Sequence, residues 1–169
     1  MTRESFVARF GGVFEHSAWI AERAWDEGKI GLPLKAKAVH SAMCDVFGVA
    51  SREERLGVLQ AHPDLAGRLA MSDGLTAESK SEQAGAGLDQ LSPEEHARFT
   101  ELNDRYMSDF GFPFIIAVKG HTKNTILSAF EERVGNSIDE EFEVACAQVE
   151  RIAGFRIADL LPETGVAIS

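Results

Sequence analysis

A histidine stands directly in front of a proline in AHPDLAG, and His62-Pro63 is the first place in this sequence where chemistry can sit. Proline excludes the residue before it from the α region and suits the first turn of a helix. The dipeptide therefore predicts a loop that ends at His62 and a helix that begins at Pro63. An imidazole at a helix N-terminus can bind an anion or exchange protons near neutrality, its reference pKa being about 6.5. It can equally be an ordinary helix cap. A second group lies in ESKSEQAGAGLD, residues 78–89. If this stretch is helical, Ser79, Glu82 and Gln83 fall at i, i+3 and i+4, on one face. Together they can hold a polar ligand and supply an acid or base, although the same spacing also fits a solvated polar face. The small residues that follow at 84–87 permit close approach of another backbone.

The third feature is an arginine out of place. The last helical stripe runs Ile138, Phe142, Ala145, Val149 and Ile152 in steps of four and three, and its next position is Arg156. An arginine on a core-facing stripe is costly unless it meets an anion or reaches out to water. Gly154 offers another outcome, in which the helix ends and Arg156 turns to solvent. Facing inward, Arg156 would be the local positive charge that an acidic protein needs for an anionic ligand.

The elements that must position these groups read as helix after helix. Ser51 with Glu54 three residues on forms a capping box that opens a helix carrying Leu56 and Leu59. Ser92-Pro93-Glu94-Glu95 is a stronger start, with a serine cap, proline at the first helical position and glutamate at the third. Phe99, Leu102, Tyr106 and Phe110 then recur at helical spacing until Gly111 stops the run. Thr122 caps a helix striped by Ile126, Leu127, Phe130 and Val134. Ser137 and Glu140 open a last one that runs towards Leu161, with Pro162 as terminator. Upstream, residues 13–27 and 34–47 carry helical patterns split by Gly28 and by Gly31 to Pro33. The loosest stretch is Ala70 to Thr76. The chain predicts an all-α, single-domain helical bundle over residues 1–169.

One segment dissents. FGFPFIIAVKG, residues 110–120, is a short apolar run bounded by glycines and interrupted by Pro113. Propensity favours a buried strand, but no partner strand is evident elsewhere. The expectation is a buried extended segment near residues 111–119, between two helices, whose backbone groups need partners and can in part face a ligand.

Composition limits the rest. The formal net charge is −10, which opposes binding to nucleic acid or to an anionic membrane surface. No apolar run reaches the ~18 residues of a membrane span, and the N-terminus lacks a signal-peptide core. The two cysteines, Cys44 and Cys146, lie in helical patterns and read as small core residues in a reducing, cytoplasmic compartment. His16, His40, His96 and His121 form no HExxH-like pair, and they read as surface or satisfied core residues. There is no GxGxxG, Walker or GxSxG pattern. Metal, nucleotide and serine-hydrolase chemistry are not indicated.

Four motifs in order, HPDLAG, SKSEQAGAGLD, LNDRY and FGFPFIIAVKG, resemble the 2-oxo-4-hydroxy-4-carboxy-5-ureidoimidazoline (OHCU) decarboxylases. The likeness extends over nearly the whole chain. It implies an all-helical fold, commonly a homodimer, and conversion of OHCU to (S)-allantoin in urate breakdown without metal or organic cofactor. By resemblance, His62 and Glu82 are the catalytic pair. Pro63, Ser79 and Gln83 line the substrate, as does the backbone of Phe114, Ile115, Ile116, Ala117 and Val118. The family's anion-binding arginine fits Arg156, with Arg151 as the alternative register. From the residues alone, a non-catalytic helical interaction module with a vestigial pocket is the competing reading. Binding of its partner would be unaltered by removing His62 and Glu82 together.

Overall fold

Side-chain caps set most of the helix starts. The computed structural model describes residues 1–62 and 91–161, which contain seven helices and no strand. They are α1 (Arg3–Phe10), α2 (Trp19–Asp26), α3 (Ala36–Val49), α4 (Arg52–Ala61), α5 (Pro93–Phe110), α6 (Lys123–Arg133) and α7 (Ile138–Leu160). The Ser51 hydroxyl accepts from the Glu54 N–H at 3.0 Å, and the Glu54 carboxylate accepts from the Ser51 N–H at 3.3 Å. Ser92 with Glu95 and Ser137 with Glu140 close the same reciprocal pair. Thr122 caps α6 with Thr125 as its partner. Each box satisfies amide donors that a helix start would otherwise leave open, an effect of about 1 kcal/mol. The expectations for Pro63, Ala70 to Thr76 and Pro162 fall outside the described residues.

The chain divides into two compact units, Met1–Ala61 with Val149–Ser169, and His62–Gln148. In the first, α1 packs on α2 and α2 on α3. Phe6 and Phe10 lie 4.9 Å apart between ring centroids, and Phe14 and Phe47 lie 5.4 Å apart. The helical pattern read over 13–27 is only half realised. Residues 11–18 are turns, and α2 starts at Trp19. Two features hold them out of a helix. Adjacent Gly11 and Gly12 loosen the chain, and a Cβ on Gly11 would stand 2.6 Å from the Val7 carbonyl oxygen. His16 takes a left-handed conformation, φ 50°, which interrupts any α run. The turn is nonetheless buried at Val13, Phe14, Glu15 and Ser17.

Gly154 does not end the last helix. α7 continues through it to Leu160, because one interior glycine costs only about 1 kcal/mol against alanine. The missing side chain leaves room for the His40 ring, whose Cε1 would be 3.0 Å from an added Cβ. His40 Nε2 lies 2.7 Å from the Glu150 carbonyl oxygen; a carbonyl only accepts, so Nε2 carries the proton. Gly154→Ala should therefore destabilise by about 1 kcal/mol, because displacing His40 outweighs the gain in helix propensity. A higher Tm in that variant would contradict this.

The second unit is built on an aromatic cluster. Tyr106, at the middle of the buried α5 stripe, meets Phe110, Phe112, Phe114 and Phe130 at centroid distances of 4.4, 5.9, 5.5 and 5.9 Å. Phe114 stacks on Phe130 at 3.9 Å with the rings 11° from parallel. α5 packs on α6. Gly111, φ 78°, ends α5 with a left-handed cap, and residues 112–118 are then buried and lie in neither helix nor strand before α6. The dissenting apolar run, expected as a buried extended segment near residues 111–119, is buried over 112–118 and forms neither helix nor strand.

Candidate active site

His62 follows the last residue of α4 directly. The expected loop before it is absent. α4 runs to Ala61 and stops where Pro63 forbids His62 a helical conformation. The imidazole is therefore delivered by the C-terminal end of a helix, and it is buried, 3% exposed, with both ring nitrogens shielded from water. Pro63, Ser79, Glu82 and Gln83 lie outside the described residues.

The segment bearing Phe114, Ile115, Ile116, Ala117 and Val118 belongs to the same compact unit as His62. Three of its backbone groups are used to hold it. Arg133 Nη1 donates to the Ile115 carbonyl at 2.7 Å, and the Ala117 N–H donates to Gln148 Oε1 at 2.9 Å. The His121 N–H donates to the Val118 carbonyl at 2.9 Å. With no strand beside it among the described residues, this run finds its partners in side chains from α6 and α7 and in the turn that follows it.

The anchor of this arrangement is a buried polar network that the sequence reading did not single out. Glu141 is fully buried, yet its Oε1 accepts from the Tyr106 hydroxyl at 2.6 Å and from Arg133 Nε at 3.0 Å. Arg133 Nη2 stands 3.0 Å from the same oxygen, and Asn136 Nδ2 donates to Oε2 at 2.9 Å. The Arg133 guanidinium also lies 4.4 Å from the Phe114 ring centroid, within cation–π range. Burial, with the Glu141 carboxylate at hydrogen-bond distance, pushes the Tyr106 phenol above its ordinary value. Tyr106 therefore stays protonated and donates throughout the physiological range. A signal existed: Glu141 sits three residues after Ile138 and four before Ala145, on the face of the apolar stripe that Arg156 continues.

Arg156 belongs to the other unit and faces inward, 3% exposed. Its Nη2 donates to Glu15 Oε1 at 2.9 Å and its Nη1 to the Val13 carbonyl at 3.3 Å. Arg151, the alternative register, is exposed, with its guanidinium 5.7 Å from the Phe155 centroid. Along the stripe Phe142, Ala145, Val149 and Ile152 are buried as expected, whereas Ile138 is 52% exposed at the helix start. Cys146 is buried. Cys44 is half-buried, and desolvation with Glu150 and Asp45 nearby pushes its thiol up to about 12, too high for a nucleophile at neutral pH.

A family model described as OHCU decarboxylase matches residues 1–158. The chain belongs to the OHCU decarboxylase family. It is 41% identical over 164 residues to the 2-oxo-4-hydroxy-4-carboxy-5-ureidoimidazoline decarboxylase of Halalkalicoccus jeotgali, covering 96% of this chain and 89% of that protein. It is 38% identical over 165 residues to a uric acid degradation bifunctional protein of Bacillus subtilis, covering 98% of this chain and 32% of that one. Among solved structures it superposes with a TM-score of 0.71 on an OHCU decarboxylase crystallised in the presence of (S)-allantoin. That pair is 26% identical, with 89% of this chain and 96% of the other covered. The family membership accords with the all-helical fold and with the four motifs that carry the resemblance.

Proposed function

We propose that this protein decarboxylates OHCU to (S)-allantoin in urate breakdown, acting as one domain and without a cofactor. The observation that carries the reading is the family match over residues 1–158, a span that holds every candidate site residue. In the reaction the bond from C4 to the carboxyl carbon breaks, carbon dioxide leaves, and the electron pair passes into the adjacent C=N system. The ring is its own electron sink. The ring nitrogen takes up a proton, one net per substrate carboxylate; the C4 hydroxyl then gives up its proton as it becomes a carbonyl, and the neighbouring carbon gains one, which completes allantoin. The protein's work is then to hold the carboxylate, polarise the ring and place that proton on one face.

His62 is the group suited to exchange the proton near neutrality. Its burial supports the role, since a shielded imidazole delivers its proton to a fixed point rather than to bulk water. Glu82 orients the imidazole or binds the C4 hydroxyl. Ser79, Gln83, Pro63 and the backbone of 114–118 read the ureido and carbonyl groups. Arg156 meets the substrate's negative charge. The same reading includes a homodimer and a cytoplasmic location. OHCU generated enzymatically in the cuvette should disappear at a rate proportional to the concentration of this protein. Decay no faster than in its absence would refute the proposal.

A further inference from the structure

We infer that Glu15 is a positioning residue for Arg156, fixing the plane in which the guanidinium is presented; this rests on the reading of Arg156 as the substrate-binding arginine. Two acceptors two residues apart on one turn grip two different nitrogens of the fork, Glu15 Oε1 on Nη2 at 2.9 Å and the Val13 carbonyl on Nη1 at 3.3 Å. A planar guanidinium held at two points cannot rotate about its own axis, which sets the directions of its N–H bonds.

The turn that supplies both acceptors is itself fixed. The Ser17 hydroxyl donates to the Glu15 carbonyl at 2.9 Å, the Phe14 ring packs 5.4 Å from Phe47, and Gly11 permits a close approach that a Cβ would block. The side chains of Arg156 and Glu15 are 2% and 0% exposed, so water screens the pair little. A buried ion pair is poor value as stabilisation, because apolar residues of similar volume usually serve as well or better. Directing a guanidinium is a task that apolar residues cannot perform. Glu15 also balances the buried cation before substrate arrives. The gain on binding the substrate carboxylate then comes from aligned hydrogen bonds more than from net charge.

The test is a kinetic cycle with OHCU on Glu15→Gln, Glu15→Asp, Arg156→Met and the double variant Glu15→Gln/Arg156→Met, with Tm recorded for each. Glu15→Gln should raise KM about tenfold while kcat changes less than about threefold, the split expected when an oriented binding contact is lost. Glu15→Asp keeps the charge, and hence the fold, but withdraws the carboxylate by one methylene. It should raise KM in the same direction with Tm close to the parent. The double variant should bind no worse than Arg156→Met, because Glu15 acts only through Arg156. Parent-like KM in folded Glu15→Gln and Glu15→Asp, with KM raised in Arg156→Met, would leave the arginine's role standing and overturn the positioning role. Independent, additive losses in the double variant would overturn it too. An unchanged KM in folded Arg156→Met would refute the arginine's role in binding and the inference with it.

Discussion

His62→Ala is expected to abolish measurable turnover of OHCU, a loss of at least about a hundredfold, while the helical circular dichroism signal persists. General acid–base groups contribute about 10²–10⁴-fold. No other described residue combines burial with an imidazole: His40 is committed to the Glu150 carbonyl, and His121 Nδ1 lies 3.1 Å from the Thr125 hydroxyl. The effect on folding should be local. His62 lies just beyond α4, so its loss leaves the helix hydrogen bonds intact and removes one buried ring. His62→Asn supplies the control: it keeps a polar group in the space and cannot exchange a proton near neutrality. Both variants should be folded and inactive. Parent-like kcat in either one would remove His62 from the mechanism.

Glu141→Ala should cost stability rather than chemistry, about 3–5 kcal/mol, which lowers Tm by about 6–20 °C for a domain of this size. The substitution strips the acceptor from the Tyr106 hydroxyl and from Asn136, and leaves the Arg133 guanidinium buried with its carboxylate gone. Breaking a buried pair from one side is costly for that reason. Arg133 also holds the Ile115 carbonyl, so disorder in its side chain reaches the buried 112–118 segment. KM should rise as a result. Glu141→Gln retains an oxygen acceptor for Tyr106 and should lose markedly less. Thermal melts of the two variants decide this, and a Tm within about 2 °C of the parent for Glu141→Ala would show that the network carries little energy.

What could be read in the sequence was local. Ser51, Ser92, Thr122 and Ser137 announced four helix starts because a capping box is written within four consecutive residues. The 110–120 run was legible through its glycine bounds and Pro113. The expectation over 13–27 ran too far because the left-handed His16 has no signature in composition. The choice at Gly154 was open for a physical reason: whether a helix tolerates a glycine depends on its neighbour, here the His40 ring. Pair partners were the least accessible. Arg156 demanded an anion, but its partner Glu15 lies 141 residues away, and nothing local selects that carboxylate among many. Arg133 and Glu141 answered each other's burial in the same way. Four of the candidate residues, Pro63, Ser79, Glu82 and Gln83, lie outside the described residues, and their roles rest on the family resemblance.

The protein is proposed to place a proton on one face of the decarboxylated ring. The direct measurement is the circular dichroism of allantoin formed from freshly generated OHCU, with and without the protein. Fast appearance of the S-allantoin signal is expected, absent from the uncatalysed control and from His62→Ala. Allantoin that forms at the control rate, or forms without optical activity from the outset, would contradict it.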